Sequence, residues 1–340
     1  MNAVAQPELL EVATRLAKLA GRGRPKALHK LAGGKNNRVF SIETDGAPLV
    51  LKSYFKDPRD PRDRLAAEWT FLQRAWQLGV RAIPEPLASD PQARAGLYSY
   101  VAGRKLNVGE VSAAHVDAAI DFVLAINRAP RDLSALALGS EACFSLAQHL
   151  NTVEQRIARL QSLDPEAPQL DDAVRFVAKS LMPAWAGVKQ RAAREAQALG
   201  LPMDTDIAAE DICASPSDFG FHNALVEDGK VMFLDFEYAG RDDPAKLISD
   251  FFCQPEIPVP VEHHARFIAR IADGLALSPE SRARCAILLD TYRVKWTCII
   301  LNEFLPVGAA RRAYSSPDER ATRSAVQLVK AQAKLAEINS

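Results

Sequence analysis

The stretch Ser215–Asp250, SPSDFGFHNALVEDGKVMFLDFEYAGRDDPAKLISD, carries the residues on which the interpretation of the whole chain depends. Asp218 is followed five positions later by Asn223, and Asp235 stands at the end of an apolar run typical of a β-strand. Between them, Glu227-Asp228-Gly229-Lys230 predicts the turn of a hairpin. A loop aspartate, a nearby asparagine and a strand-end aspartate suit phosphoryl transfer. The first would accept the proton of an attacking hydroxyl, and the other two would hold Mg²⁺ on the phosphates of ATP.

The same stretch resembles the aminoglycoside phosphotransferase family of small-molecule kinases, which includes choline-kinase-like enzymes and is related to protein kinases. In that family the catalytic loop has the pattern H-G-D-x-x-x-x-N, and a strand-end I-D-x-E is followed by A-G and D-P. This chain has SDFGFHN at 217–223, LDFEYAG at 234–240 and DDP at 242–244. It departs from the pattern at Pro216, where the family has a histidine that positions the loop.

The resemblance implies an α+β, bilobal, protein-kinase-like fold. Such a fold has a small antiparallel β lobe with one helix and a larger, mostly helical lobe. On this basis residues 1–102 are predicted to form the nucleotide-binding lobe with a leading helix. Residues 103–340 are predicted to form the second lobe, with the catalytic loop, the metal site and the acceptor pocket.

Residues 28–42 favour a strand, a glycine turn and a second strand. Taken alone, Gly33-Gly34 before a strand is more typical of an ordinary hairpin than of a nucleotide site. The resemblance implies instead that Gly33, Gly34 and Lys35 form a loop over the nucleotide, because backbone N–H groups must approach the phosphates closely.

Lys52 lies within the apolar strand predicted for 48–54. A lysine buried in a strand is costly unless it is paired, and the alternative is an exposed lysine on one strand face. The resemblance implies that Lys52 contacts the phosphates of ATP. Glu68, in the second turn of a helix predicted for 64–78, would then pair with Lys52 and fix its position. The alternative is a surface glutamate near a helix start.

Two further regions of the binding site follow from the resemblance. The backbone around Ser99, Tyr100 and Val101 would bind the adenine, which leaves the choice between ATP and GTP open. Late helices would face the acceptor, so Trp296 and Glu303 are candidates to contact it. A core tryptophan and a surface glutamate are equally good interpretations of these two residues.

Composition limits the classes of partner. The 340 residues hold 42 basic and 42 acidic side chains, so nothing favours nucleic acid or an anionic membrane surface as a partner. The N-terminus lacks the pattern of a cleaved leader, and no apolar run reaches the ~20 residues that span a bilayer, so no membrane insertion is expected. The five cysteines are scattered, which predicts reduced thiols in a cytoplasmic protein.

These residues are compatible with three functions. The first is an ATP- and Mg²⁺-dependent kinase acting on a hydroxyl of a small-molecule acceptor such as a sugar, an amino alcohol or an aminoglycoside. The second is a kinase-like nucleotide-binding protein with weak or no transfer activity, which the missing histidine motivates. A protein kinase is the weakest, because Asp235-Phe236-Glu237 has no following glycine and no A-P-E segment is present.

Overall fold

The structure is a computed structural model that describes residues 6–31, 37–55, 62–129, 132–306 and 317–339. The chain divides into two compact units. One comprises Met1–Ser140 and Ala214–Arg241, and the other comprises Glu141–Cys213 and Asp242–Ser340. A five-stranded antiparallel sheet combined with many helices confirms the predicted α+β class. The lobe boundary predicted between residues 102 and 103 stays a prediction.

The first unit is built on the five-stranded sheet, whose strands lie in the order β1-β2-β3-β5-β4. Neighbouring strands are antiparallel throughout, including β3 and β5, which a helix and strand β4 separate along the chain. The strands and the helix that precedes them are α1 (Gln6–Leu19), β1 (Pro25–Lys30), β2 (Asn37–Thr44), β3 (Leu49–Tyr54), β4 (Pro86–Asp90) and β5 (Ala95–Ser99).

The side chains of β3 alternate between two environments, because successive residues of a strand point to opposite faces. Leu49 and Leu51 are buried in an apolar cluster with Leu9 and Leu16 of α1. Lys52 is two positions from Val50 and Tyr54 and shares their opposite face. The helix α1 therefore covers one face of the sheet, and Lys52 lies on the other.

Helix α2 (Arg64–Gln77) supplies Glu68 to the lysine face. It begins at Asp63, whose side chain accepts a hydrogen bond from the backbone N–H of Ala66 at 2.9 Å. This contact satisfies one of the unpaired N–H groups of the first helical turn. Both α1 and α2 contact the sheet. The fold prediction placed one helix in the β-rich lobe, and α1, the predicted leading helix, is a second helix that packs on the same sheet.

The segment that decided the sequence interpretation forms a hairpin in the first unit. Strands β7 (Ala224–Glu227) and β8 (Lys230–Phe233) pair from Ala224 opposite Phe233 to Glu227 opposite Lys230. Asp228 and Gly229 form the turn with φ of 48° and 76°, values that a two-residue hairpin turn requires. Helix α3 (Ala113–Ile126) contacts β8, and Phe122 stacks on Phe233 with ring centroids 4.7 Å apart.

The second unit is helical. The helical spacing of apolar residues in 171–199 and in 280–304 predicts one helix in each stretch. In the structure the first stretch contains a π-helical turn, Val177–Leu181, and the second is divided at Leu288. The helices of the second unit are α4 (Leu146–Arg159), α5 (Leu170–Phe176), α6 (Met182–Ala198), α7 (Pro244–Cys253), α8 (His264–Gly274), α9 (Pro279–Ile287), α10 (Leu289–Ile300) and α11 (Pro317–Ala336). The short strands β6 (Cys213–Ser215) and β9 (Gly240–Asp242) pair with each other.

All five cysteines are buried, and none of them forms a disulfide bond. Among the helices of the described residues, none has both the length and the apolar character needed to cross a bilayer.

A buried polar network stabilises the start of α7. Asp243 is its N-cap and accepts a hydrogen bond from the Ala245 N–H at 2.7 Å. The other carboxylate oxygen of Asp243 lies 2.6 Å from an Arg284 nitrogen and 3.1 Å from His149 Nε2, while His149 Nδ1 lies 2.7 Å from the Tyr292 hydroxyl. Burial opposes protonation of His149, but the hydrogen bonds and charge interactions with Asp243 and Cys143 together outweigh burial and raise the pKa of His149 to about 9.

We expect the stability of the protein to fall at alkaline pH because of this network. A histidine whose pKa is higher in the folded than in the unfolded state stabilises the fold fully below about pH 6.5 and loses that contribution as the pH rises through about 9. The loss should be on the order of 3 kcal/mol in the free energy of unfolding.

Urea unfolding at pH 6 and pH 9.5 measures this loss. His149→Gln should abolish most of the difference between the two pH values, while substitution of the exposed His29 by Gln should preserve it. A wild-type free energy of unfolding that is the same at both pH values would contradict the assignment of a protonated His149.

Candidate active site

A buried ammonium group forms the centre of the candidate site. Lys52 Nζ lies 2.6 Å from Glu68 Oε2 and 2.5 Å from Asp235 Oδ1. The side chains of Lys52 and Glu68 are only 8% and 5% exposed, whereas that of Asp235 is 37% exposed. Strand β3, helix α2 and the end of strand β8 therefore meet at one cation. The structure has the buried, paired lysine, not the exposed lysine and surface glutamate that were the alternatives.

Electrostatics keep this lysine charged. Burial by itself disfavours the ammonium ion, but the nearby carboxylates of Glu68 and Asp235 outweigh burial and raise the pKa of Lys52 above its ordinary value. At neutral pH the site therefore presents a fixed positive charge beside a partly exposed carboxylate. Such a pair can receive the phosphates of a nucleotide together with a divalent cation.

Glu68 has further partners that hold its carboxylate in place. The Tyr54 hydroxyl donates to Oε2 at 2.7 Å, and the backbone N–H of Phe236 donates to Oε1 at 3.3 Å. The hydroxyl of Tyr98 lies 2.7 Å from that of Tyr54. The carboxylate is thus bonded on both oxygens, as a buried charge requires.

The predicted catalytic loop is fixed by hydrogen bonds within itself. Ser217 has φ of 63°, a conformation that turns the chain sharply before Asp218. Asn223 Nδ2 donates to the backbone carbonyl of Asp218 at 3.1 Å, and His222 Nε2 lies 3.2 Å from Asp218 Oδ1. The Asp218 side chain is 36% exposed, so it remains accessible to a substrate.

The hairpin register brings the predicted metal ligands next to each other. The backbone N–H of Leu234 donates to the carbonyl of Asn223 at 2.8 Å, so Asp235 follows directly after the residue paired with Asn223. Asp235 has φ of 65°, a left-handed conformation that ends the strand and turns its carboxylate toward Lys52.

Glu237 links this region to two other elements. Its buried carboxylate accepts a hydrogen bond from Asn37 Nδ2 at the start of β2 and lies 3.5 Å from an Arg64 nitrogen at the start of α2. The motif containing Glu237 was recognised in the sequence, but the sequence assigned this residue no role.

The other predicted nucleotide-binding residues differ in what can be said of them. Gly33, Gly34 and Lys35 lie outside the described residues. Ser99 ends β5, and its N–H donates to the Glu85 carbonyl at 3.0 Å, so that N–H is already used within the protein. Tyr100 is exposed and Val101 is half-buried just beyond the strand, where their backbone contributes to no described strand. Adenine binding there stays a prediction.

The two acceptor candidates in the second unit have protein partners. Trp296 Nε1 donates to Asp250 Oδ1 at 2.8 Å, and Asp250 is also held by Lys295 at 2.9 Å. Glu303 lies 3.7 Å from an Arg323 nitrogen. These contacts favour the structural interpretation of both residues over contact with an acceptor.

Sequence reasoning missed three residues that lie in the site. Tyr54 bonds directly to Glu68, and Tyr98 bonds to Tyr54. His222 contacts Asp218. For Tyr54 a signal was present, because residues two positions apart on a strand share a face and Tyr54 is two after Lys52. His222 had only its position four residues after Asp218, in a loop whose conformation could not be predicted.

The sequence of the chain matches one family profile over most of its length. Residues 27–280 match the profile described as the phosphotransferase enzyme family. The chain belongs to this family. It is accordingly a small-molecule kinase. Comparison with curated protein sequences gives no significant match.

Solved structures of the family share the fold of this phosphotransferase. A spectinomycin phosphotransferase in complex with ADP and its drug superposes with a TM-score of 0.60 at 11% identity, covering 98% of this chain and 99% of that one. A choline/ethanolamine kinase family protein from Mesorhizobium loti gives 0.55 at 16% identity, with coverage of 96% and 98%. The choline kinase LicA from Streptococcus pneumoniae gives 0.56 at 16% identity, with 97% and 99%. These likenesses confirm the protein-kinase-like fold.

Breaking the Lys52–Glu68 pair should be costly for the fold. Glu68→Met leaves a buried ammonium with one partner fewer, and we expect it to lower the free energy of unfolding by about 3–5 kcal/mol. The double variant Lys52→Met/Glu68→Met removes both charges and should recover most of that loss.

Chemical denaturation of the two single variants and the double variant gives the coupling between the two residues. Asp172→Asn, which breaks the exposed pair with Arg175, serves as the control and should change stability little. Additive effects of the Lys52 and Glu68 substitutions would show that the two side chains are not paired in solution.

Proposed function

We propose that this phosphotransferase moves the γ-phosphoryl group of ATP to a hydroxyl group of a small molecule. The observation that carries the proposal is the single cluster in which the Lys52 ammonium bonds to Glu68 and Asp235 together. In this arrangement Lys52 would bind the phosphates of ATP, and Glu68 would keep the ammonium in position. The ADP bound in the spectinomycin phosphotransferase structure supports a nucleotide as the donor.

The donor set beside Lys52 fits Mg²⁺. Asp235 offers a partly exposed carboxylate, and Asn223 offers an amide. The amide nitrogen of Asn223 donates to the Asp218 carbonyl, which leaves the amide oxygen of Asn223 to ligate a cation. Among the described residues no group of three or more His, Cys, Asp or Glu side chains is arranged to hold a metal. Two protein ligands suit Mg²⁺, which takes its remaining ligands from phosphate and water. When bound, the ion would neutralise charge on the phosphates.

Asp218 is the proposed catalytic base. Its carboxylate is accessible, the contact with His222 restricts the orientation of that carboxylate, and Asn223 holds the backbone of Asp218 through its carbonyl oxygen. It would orient the acceptor hydroxyl for in-line attack and accept its proton late in the transfer. The contact with His222 is an independent means of fixing the loop in a chain that has Pro216 where its family has a histidine.

The acceptor is proposed as an alcohol of modest size. The similar structures include kinases of choline and ethanolamine and phosphotransferases of spectinomycin and of macrolides, all of them acting on small molecules. A net charge of +0 gives no sign of the strongly acidic surface that would favour a polycationic drug. Sugars and amino alcohols are therefore included with aminoglycosides in the proposal, and a cytoplasmic location agrees with the five free thiols.

Release of ADP during incubation with Mg-ATP and a panel of sugars, amino alcohols and aminoglycosides tests the proposal. An acceptor that raises ADP release above the rate with water alone identifies the substrate class. Tight Mg-ATP binding without release for any acceptor would instead support the nucleotide-binding protein without transfer activity.

Asp218→Asn should nearly abolish transfer while leaving nucleotide binding intact, because the amide cannot accept the hydroxyl proton. A reduction of about a hundredfold to ten-thousandfold in kcat is expected, measured as ADP release with a saturating acceptor. Asp228→Asn is the matched control, since Asp228 lies in the β7–β8 turn, where asparagine tolerates positive φ. Turnover of Asp218→Asn within tenfold of wild type would count against its role as base.

Asp235→Asn should remove the Mg²⁺ dependence of nucleotide binding. Asparagine fits the left-handed backbone at 235 but withdraws the negative charge that attracts the cation. Calorimetric titration with ATP in the presence of Mg²⁺ and of EDTA should give nearly equal affinities for this variant and clearly different ones for wild type. An unchanged difference would show that the ion is held elsewhere.

A further inference from the structure

Two buried tyrosines are connected by hydrogen bonds to the lysine–glutamate pair. Tyr54 is two residues after Lys52 on the same face of β3, and Tyr98 lies on the neighbouring strand β5. Both side chains are buried, and their hydroxyl oxygens are 2.7 Å apart. The direction of the hydrogen bonds follows from chemistry, since Glu68 as a carboxylate can only accept. Tyr54 must donate to Glu68, so Tyr98 donates to Tyr54.

The ring of Tyr98 reaches this position because of a glycine. Gly96 pairs with Lys52 across β3 and β5, and the Tyr98 ring folds back over it. A Cβ atom at position 96 would lie 2.7 Å from two carbons of that ring, a distance at which the ring must move. Trp69, which follows Glu68 in α2, also packs against Tyr98, with ring centroids 6.1 Å apart. Three elements of the chain, β3, β5 and α2, therefore define the location of one hydroxyl group.

The position of Glu68 decides how Lys52 can act. Lys52 Nζ has two anionic partners, and a bound phosphate would compete with Asp235 for it. The ammonium stays fixed during that exchange only if the Glu68 carboxylate does not follow it. The Tyr54 hydroxyl donates to Oε2, the same oxygen that accepts from Lys52. It therefore restrains the carboxylate at the atom whose interaction with Lys52 changes when a phosphate binds.

We propose that Tyr98, Tyr54 and Glu68 form a hydrogen-bonded chain that positions Lys52 for the phosphates of the nucleotide, with Gly96 providing the space for it. The tyrosines are positioning residues and do not touch the substrate. The proposal depends on the function proposed for Lys52 above.

Binding of Mg-ADP to the full chain, measured by calorimetry, tests the chain of hydrogen bonds without knowledge of the acceptor. Tyr54→Phe should weaken binding about tenfold, because it removes a hydrogen bond to a charged group. Tyr98→Phe should weaken it about threefold, and the double variant should equal Tyr54→Phe alone, since Tyr98 acts only through Tyr54. Gly96→Ala should resemble Tyr98→Phe.

A second background separates positioning from general loss of stability. With Glu68→Gln, the substitution Tyr54→Phe should change affinity by no more than about twofold, because the group being positioned is already altered. Tyr292→Phe is the control, since it removes a buried hydroxyl that bonds to His149 in the second unit. It should lower stability and leave the affinity for Mg-ADP unchanged.

The outcomes distinguish the two proposals. Wild-type protein that binds no Mg-ADP would overturn the nucleotide site and this inference together. Wild-type binding with unchanged affinity in folded Tyr54→Phe and Tyr98→Phe would overturn the positioning role alone. Additive effects of the two tyrosine substitutions would also overturn it. If Tyr54→Phe does not fold, Tyr98→Phe and its combination with Glu68→Gln carry the same test, because Tyr98 makes no direct contact with the carboxylate in the structure.

Discussion

The structure of the first unit depends on the buried positive charge of Lys52. An ammonium group in a protein interior is tolerated only if carboxylates surround it, and Lys52 obtains them from a helix and from the end of a strand far along the chain. The same requirement sets the position of β3, α2 and the loop at Asp235 relative to one another. Folding this region and assembling the cluster of Lys52, Glu68 and Asp235 are therefore one physical event.

The second half of the site follows from the geometry of a short hairpin. Because Asn223 and Leu234 pair, the polar residues that precede and follow the two strands lie at the same end of the hairpin. Ser217 and Asp235 both have positive φ, which an extended strand does not accommodate. The chain therefore turns sharply at each of these two residues. Backbone strain of this kind is typical of functional sites, where surrounding contacts offset its energy.

Much of this could be predicted from the sequence, for identifiable reasons. The turn at 228–229 was predicted from a local rule, because it requires residues that tolerate positive φ. The pairing of Lys52 with Glu68 was predicted from the family resemblance, since a buried lysine requires a carboxylate but its own position does not say which one. The Tyr54–Tyr98 pair depends on how two strands align, and the division at Leu288 depends on tertiary packing. A local sequence pattern predicts neither the tyrosine pair nor the division of the helix. The contact of His222 with Asp218 depends on a loop conformation that spacing alone does not determine.

Helix α1 lies before residue 27, where the match to the family begins, yet its Leu9 and Leu16 complete the apolar cluster around Leu49 and Leu51. A fragment trimmed to the family limits would uncover that side of the sheet, and strands with an unprotected apolar surface tend to associate with other molecules. The part of this kinase needed for a stable fold is consequently larger than the part that matches the family profile. A shortened version of the chain should begin before Leu9.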